Sequence, residues 1–295
     1  MTDGGGCAAL SAAAGEPLAG TASRIRHWLM VEQPGRWEHD ALLEGGLPRA
    51  VGEHLRREGD RLGVRVLLIR RRDRPRPDRR RCFAAFTGRR ERRLAMFEIE
   101  DPRELLELDL EALTEARWAH FGERTTGPVV LICTHGKRDP DCSRFGGPPA
   151  RALAARPDAW ECTHIGGDRF AGNLVCFPHG LYFGRVDADA AMLVAGEYET
   201  GRIALEYYRG RSAYPSSVQA AERELRLALD LVGVDDLVLE GHGERSAGEH
   251  DVVFRIPGGE ERKVSVREVA LDARLLTCKA SGPSPSRAFE LDGIS

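Results

Sequence analysis

The chain has 295 residues and a formal net charge of −3, from 43 Lys and Arg residues against 46 Asp and Glu residues. This balance argues against a nucleic-acid-binding protein that works through a basic surface. No stretch of about 18 consecutive apolar residues occurs, so we expect no transmembrane segment. The length and the hydrophobic fraction of 42% are sufficient for two domains with buried cores.

The N-terminal segment, residues 1–20, is rich in Gly and Ala and lacks the basic and apolar regions of a signal peptide. We therefore interpret it as a disordered leader and expect a cytoplasmic protein, in which cysteine thiols stay reduced. Nearly all the positive charge is arginine, because the lysines are only Lys137, Lys263 and Lys279. This bias is typical of GC-rich genomes and indicates a bacterial source.

The first half of the chain alternates short apolar runs with segments of helical spacing. A helix is predicted where Leu47, Val51 and Leu55 recur near helical spacing, and strands are predicted at the apolar runs. The predicted elements are a strand at 28–33, a helix at 47–62, strands at 64–69, 82–86 and 94–99, and a helix at 105–116.

The second half repeats this order of elements. They are a strand at 129–133, a helix at 148–155, strands at 160–164, 173–177 and 181–185, and a helix at 188–195. Both halves therefore have the order β-α-β-β-β-α. A β-α-β connection of this length implies parallel pairing with a right-handed crossover. Downstream, the pattern predicts an amphipathic helix at 216–232, strands at 237–240, 251–256 and 263–270, and a loop at 281–286.

Residues 70–81 form an arginine-rich run in which Pro75 and Pro77 oppose a helix. The run has two interpretations: a basic loop that docks an acidic partner or nucleic acid, or a solvated surface loop enriched by general arginine usage. No aromatic residue is interleaved with the arginines to stack on bases. We favour the surface loop.

Thiol and imidazole side chains concentrate between residues 133 and 173. Cys133 and Cys142 have eight residues between them, and Cys162 and His164 follow. These are donors that transition metals and iron–sulfur clusters prefer. The remaining cysteines stand apart and are interpreted as buried or incidental thiols; they are Cys7, Cys82, Cys176 and Cys278.

In this region the chain resembles the sucrase/ferredoxin-like family, whose thioredoxin-like domain carries a 2Fe–2S cluster. The resemblance lies in Leu131-Ile-Cys133-Thr-His-Gly-Lys-Arg-Asp139 with Cys142, in His164-Ile-Gly-Gly-Asp168-Arg-Phe-Ala-Gly-Asn173, and in Phe177-Pro-His-Gly-Leu-Tyr-Phe-Gly-Arg185. It covers residues 125–235 well and residues 21–125 weakly. It implies that His164 is a cluster ligand.

We therefore predict an α/β protein with two thioredoxin-like units and a small α+β extension at the C-terminus. Residues 21–124 form a degenerate unit, and residues 125–235 form the ferredoxin domain with the cluster site. Residues 236–295 form the strand-rich extension. Only the second unit keeps the set of ligands.

The sequence leaves the fourth cluster ligand open. Family members with a bis-histidine site have His at the position of Asp168, and a carboxylate is a harder donor than imidazole. Cys162 is softer and, on a strand that continues to His164, shares the face of that residue. His135 is the third candidate, although a neighbour that tunes a cluster by hydrogen bonding is the commoner role for such a residue.

These features predict a one-electron carrier that holds a 2Fe–2S cluster and passes electrons between a reductase and an unknown acceptor, without catalytic residues of its own. One alternative is a thiol–disulfide oxidoreductase with Cys133 as nucleophile; the long cysteine spacing and the lack of a clear helix N-terminus argue against it. The other is a structural zinc site built from Cys133, Cys142, Cys162 and His164. Neither a membrane nor a nucleic acid is expected as a partner.

Overall fold

The computed structural model describes residues 6–71, 78–125 and 127–295. The α-helices in these ranges are α1 (Cys7–Ala13), α2 (Ala41–Glu44), α3 (Arg49–Leu62), α4 (Glu111–Thr114), α5 (Pro140–Ala152), α6 (Ala188–Glu199) and α7 (Ser216–Leu229). Short 3-10 helices cover Pro102–Leu106, Trp118–Phe121 and Asp168–Phe170. No helix in the described ranges has the length and apolar character that crossing a bilayer requires.

Ten strands of the described chain form one mixed sheet. In chain order they are β1 (His27–Glu32), β2 (Val64–Arg70), β3 (Arg80–Thr87), β4 (Arg92–Ile99), β5 (Glu123–Arg124), β6 (Val129–Cys133), β7 (Ala159–Cys162), β8 (Leu174–Phe177), β9 (Leu181–Phe183) and β10 (Tyr208–Arg211). Across the sheet the order is β10-β9-β8-β6-β7-β2-β1-β3-β4-β5.

The two halves of this sheet share a local arrangement. Strands β1 and β2 are parallel, and β3 is antiparallel to both β1 and β4. Likewise β6 and β7 are parallel, and β8 is antiparallel to both β6 and β9. The predicted parallel pairing in each β-α-β connection is therefore confirmed. The halves join through antiparallel pairing of β2 with β7, and the thioredoxin-like identity of each half stays a prediction.

The central strands of the sheet are buried on both faces. In β1, Trp28 and Met30 pack into one core cluster, whereas Leu29 and Val31 pack into another. Side chains alternate between the faces of a strand, so a strand covered on both sides needs a continuous apolar run. Cys133 belongs to the same cluster as Trp28, which places the end of β6 inside the core.

A second sheet of four strands forms the C-terminal part of the protein. Its strands lie in chain order and are β11 (Val238–Ser246), β12 (Glu249–Arg255), β13 (Glu261–Arg274) and β14 (Ser284–Ile294). Val218 and Leu225 of α7 pack with Val252 and Phe254 of this sheet. The protein is thus a mixed α/β fold with a large sheet and a small one.

Both terminal segments differ from the predictions. Within the expected disordered leader, Cys7–Ala13 forms α1, and Glu16 pairs with Arg169 at 2.8 Å. Arg185 also donates to the carbonyl oxygens of Ser11 and Glu16, so residues 7–16 are held by contacts distant in the sequence. Near the other end, the predicted loop at 281–286 overlaps β14, which pairs with β13.

Helix α5 begins at Pro140, well before the predicted start at residue 148. The side chain of Asp139 accepts the N–H of Asp141 at 2.9 Å, and Pro140 occupies the first turn; both favour a helix N-terminus. The helix contains Gly146, Gly147, Pro148 and Pro149, which have low helix propensity. The sequence pattern therefore did not predict its N-terminal part. Because α5 begins at Pro140, Cys142 lies in the first turn of a helix.

The helix predicted at 105–116 is divided in two. A 3-10 helix covers Pro102–Leu106, and α4 covers only Glu111–Thr114. Asp101 accepts the N–H of Arg103 at 2.8 Å, and Asp109 accepts the N–H of Ala112 at 3.1 Å. Each aspartate therefore accepts an N–H group in the first turn of its own short helix.

The arginine-rich run is described only at its ends, and residues 72–77 lie outside the described residues. Three of the arginines at those ends form ion pairs within the chain: Arg70 with Glu161, Arg79 with Glu100, and Arg81 with Glu98. These contacts agree with the surface-loop interpretation.

Candidate metal site

The candidate site lies where the second β-α-β unit brings its strand ends and its helix together. Cys133 is the last residue of β6, and its register partner on β7 is Cys162. Cys142 is in the first turn of α5. The predicted strand at 160–164 ends at Cys162, so His164 belongs to the loop that follows β7. The fold thus brings Cys133, Cys142 and His164 together.

The donor atoms of Cys133, Cys142 and His164 all lie within 4.8 Å of one another. The Sγ atom of Cys142 is 3.8 Å from Nδ1 of His164. Asp168 adjoins this group: its Oδ1 atom is 3.6 Å from Sγ of Cys142 and 3.2 Å from Nδ1 of His164. Two thiols, an imidazole and a carboxylate therefore meet in one place.

The two cysteines share a hydrogen bond that separates their pKa values. Donation from Cys142 lowers the pKa of Cys133 well below its usual value, although burial opposes this, and His164 adds to the lowering. The same contact, together with burial, raises the pKa of Cys142. The backbone N–H of His135 also donates to Cys133. Cys133 is thus the thiol prepared to act as a thiolate, the form that binds metal.

His164 connects the site with solvent. Its side chain is 22% exposed, whereas both cysteines are 1% exposed. Burial lowers the pKa of His164, but the hydrogen bond and charge of Cys133, with Asp168, outweigh this and raise it above the usual value. A polar cavity of about 200 Å³ opens beside it, and its lining includes Asp40, Arg56, His135, Arg138 and His164.

The three candidates for a fourth donor occupy different surroundings. Asp168 contacts both Cys142 and His164, and burial raises its pKa. Cys162 is fully buried, and burial raises the pKa of its thiol well above the usual value. His135 donates from Nε2 to the carbonyl oxygen of Glu38 at 2.7 Å, while its buried Nδ1 has no hydrogen-bond partner among the described residues. Contact with the other donors favours Asp168.

The loop that carries Asp168 depends on two glycines and a buried arginine. Gly166 and Gly167 have φ values of +92° and +81°, a region that favours glycine. Arg209 is 1% exposed and donates to Oδ1 of Asn173 at 2.7 Å. Asn173 in turn donates to the carbonyl oxygen of Gly167 at 2.8 Å. Arg209 comes from β10, and no local sequence signal connects it with this loop.

The substitution Gly167→Ala should destabilise this loop. A Cβ atom there would collide with the guanidinium group of Arg209 while the backbone stays in the left-handed region. We expect a loss of about 1–3 kcal/mol in the free energy of unfolding, measured by urea denaturation. The control is Gly196→Ala in α6, where an added Cβ meets nothing within 4 Å. An equal effect of the two substitutions would contradict this role of the loop.

The cysteines outside the motif do not share one environment. All seven cysteines are free thiols. Cys82 and Cys176 are fully buried in separate core clusters, as expected for structural thiols. Cys7 and Cys278 instead lie side by side, with their Sγ atoms 3.4 Å apart.

Comparison with known proteins agrees with the resemblance seen in the motifs. The profile of the sucrase/ferredoxin-like family matches residues 18–210. The chain therefore belongs to the sucrase/ferredoxin-like family.

One curated relative is the protein named altered inheritance of mitochondria protein 32 from the yeast Meyerozyma guilliermondii. It is 33% identical over 98 residues, which cover 29% of this chain and 35% of the relative. The matched part thus spans about a third of the length of that relative. No solved structure matches the chain significantly. The predicted bacterial source stays a prediction.

Proposed function

We propose that the protein is a one-electron carrier that holds a 2Fe–2S cluster at Cys133, Cys142 and His164. The observation that carries this proposal is the convergence of these three donor atoms within 4.8 Å, in a chain of the sucrase/ferredoxin-like family. Thiolates with imidazole as a nitrogen substitute are the donor types that hold such clusters. The residues therefore fit the group, and a bound cluster would supply a one-electron redox centre.

The surrounding residues would bind and tune this centre. Burial of both cysteines keeps water from their sulfur atoms, and the N–H of His135 donates to Cys133; such hydrogen bonds to sulfur raise a reduction potential. His164 is the partly exposed donor and adjoins the polar cavity. We place the docking of the redox partners, a reductase and an acceptor, at this opening.

The proposal is tested by isolating the protein without oxygen after expression with ample iron. We expect a red-brown protein with two iron and two sulfide ions for each chain and an electron-paramagnetic-resonance signal after one-electron reduction. A pale protein without inorganic sulfide would refute the proposal.

The fourth donor is tested by comparing Asp168→Asn with Cys162→Ser. Because Asp168 contacts Cys142 and His164, we expect Asp168→Asn to lower iron retention at least about tenfold and to change the resonance spectrum. Cys162→Ser, a change on the strand before the same loop, should leave iron retention and the resonance spectrum unchanged. If instead Cys162→Ser loses iron and Asp168→Asn does not, Cys162 is the ligand.

Two observations support the thiol–disulfide alternative. Cys142 donates a hydrogen bond to Cys133, whose pKa is well below its usual value, as in a reactive thiol pair. Cys142 also lies at a helix N-terminus, contrary to the sequence-based expectation. Under this alternative, iron-free protein would reduce a model disulfide, and the activity would disappear in Cys133→Ser.

The zinc alternative gains no such support, because Cys162 lies outside the group of converging donors.

A further inference from the structure

A second group of donor side chains lies where the two ends of the chain meet. Cys7 begins α1, and Cys278 lies between β13 and β14. Their Sγ atoms are 3.4 Å apart. The donor atoms of Cys7, Cys278, Asp139 and Asp141 all lie within 4.8 Å of one another. From the sequence, both cysteines were interpreted as buried or incidental thiols because they stand apart from the motif; the fold brings them together across 271 positions.

The carboxylates of this group are buried without a compensating cation. Asp139 and Asp141 are 1% and 2% exposed. Asp139 accepts the N–H groups of Asp141 and Cys278, and Asp141 accepts the N–H of Ala8 and the thiol of Cys7. Among the described residues no Lys, Arg or His side chain pairs with either aspartate. Buried carboxylates are normally paired or bound to a metal.

The thiols respond to the same environment. Burial, followed by the hydrogen bond with Cys278 and the charges of the aspartates, raises the pKa of Cys7. Burial also raises the pKa of Cys278 to about 11, and its contacts with Asp141 and Asp139 contribute. Burial is the largest cause of both shifts, and the aspartates add to it. A cation bound among the four donor atoms, which lie within 4.8 Å of one another, would offset the charge of the two carboxylates and favour both thiolates.

We propose that Cys7, Cys278, Asp139 and Asp141 form a second metal site, for a divalent cation of borderline softness such as Zn²⁺. Two thiolates and two carboxylates are donors that Zn²⁺ accepts in tetrahedral sites. The thiols disfavour Mg²⁺ and Ca²⁺, which take oxygen ligands. Binding exchanges the two thiol protons for the cation, and both protons leave to solvent.

Such a cation would link three parts of the chain. It would connect α1, the first turn of α5 and the segment before β14, closing a loop over 271 positions. Links that close long loops stabilise a fold by limiting the unfolded chain. Asp139 caps α5, which carries Cys142. A cation at the second site would therefore also fix the helix that supplies Cys142 to the first site. The inference does not depend on a cluster at the first site.

Cobalt(II) is a suitable probe because its thiolate complexes absorb in the near ultraviolet. The experiment uses the full chain, reduced and free of iron, in the Cys133→Ser/Cys142→Ser background that removes the first site. We expect one equivalent of cobalt with a thiolate band, displaced by Zn²⁺. Adding Cys278→Ser should weaken cobalt binding at least about tenfold, and Asp141→Asn about 10–100-fold. Cys176→Ser, a buried thiol outside both groups, is the control.

A second measurement avoids the Cys133→Ser/Cys142→Ser chain, in case that variant does not fold. In the iron-free wild-type chain, Zn²⁺ should raise the melting temperature, and Cys278→Ser should remove one bound equivalent. The proposal is overturned if cobalt gives no thiolate band in the background protein, or if Cys278→Ser leaves stoichiometry and affinity unchanged. It is also overturned if Cys7 and Cys278 are recovered as a disulfide from reductant-containing buffer, because the pair would then be a redox link.

Discussion

We expect Cys133→Ser to lose nearly all bound iron and sulfide, and with them the visible absorption of the protein. Cys133 is 1% exposed, ends β6, and is the thiol whose pKa is held well below its usual value by the hydrogen bond from Cys142. A serine hydroxyl is a harder donor and stays protonated at neutral pH, so it cannot replace the thiolate. Loss of a residue that only supports a ligand typically lowers metal affinity by about 10–100-fold. Iron retention in Cys133→Ser should fall by more than this.

The matched control is Cys176→Ser. Cys176 is also fully buried on a strand of the same sheet, but it faces a different core cluster. It therefore reproduces the cost of a buried hydroxyl without touching the candidate site. Iron and sulfide are measured chemically, and folding is checked by circular dichroism. Retention of iron by folded Cys133→Ser, or equal loss in both variants, would remove Cys133 from the ligand set.

The second large effect is expected at Glu222, a fully buried glutamate on α7. It accepts from Nε of Arg211 at 2.9 Å, from Nη2 of Arg226 at 3.1 Å and from the hydroxyl of Tyr208 at 2.9 Å. Both guanidinium groups are themselves buried. Glu222→Gln would leave two buried positive charges without their counter-ion. Breaking such a pair costs about 3–5 kcal/mol in the free energy of unfolding, measured by urea denaturation at neutral pH.

The pH dependence of this effect has a definite sign. Burial raises the pKa of Glu222, but Arg211 and Arg226 outweigh it and hold the pKa below the ordinary value of 4.5. A lowered pKa in the folded state means that the stabilisation is complete above pH 4.5 and is lost as the pH falls through the folded value. The difference in stability between wild type and Glu222→Gln should therefore shrink in acid.

Glu224 provides the control on the same helix. It pairs with Arg223 at 3.4 Å, and both side chains are partly exposed. Glu224→Gln should change the free energy of unfolding by at most about 1 kcal/mol, because a solvated ion pair contributes little. If Glu222→Gln costs no more than Glu224→Gln, the buried network does not hold α7 against β10.

The two candidate metal sites share one structural element. Helix α5 carries Cys142 for the first site and is capped by Asp139 of the second. Asp139 also contributes to the raised pKa of Cys142, after the hydrogen bond with Cys133 and burial. A cation bound at the second site should therefore affect Cys142 at the first site, because it would change the position of this helix and the charge beside it. The second site includes Cys7, which lies in the expected disordered leader, and the first includes Cys142, which lies before the predicted start of its helix at residue 148.

Local patterns predicted the parts of the fold that local physics controls. The apolar runs of β1, β2 and β6 and the helical spacing of α3 and α7 lie close to their predicted positions, because periodicity reports burial on a face. Prediction was wrong where a few side-chain contacts overrule propensity. Helix α5 begins at Pro140 through the cap of Asp139, despite the glycines and prolines within it.

The sequence by itself determined the donor types, the strand that ends at Cys133 and the family motifs, since these depend on neighbours along the chain. Only the tertiary structure decided which donors meet. Asp168 approaches Cys142 because Arg209, from a distant strand, holds the loop through Asn173. Cys7 and Cys278 meet across 271 positions. No periodicity encodes contacts of that span, because they result from how sheets and helices pack, not from local backbone preference.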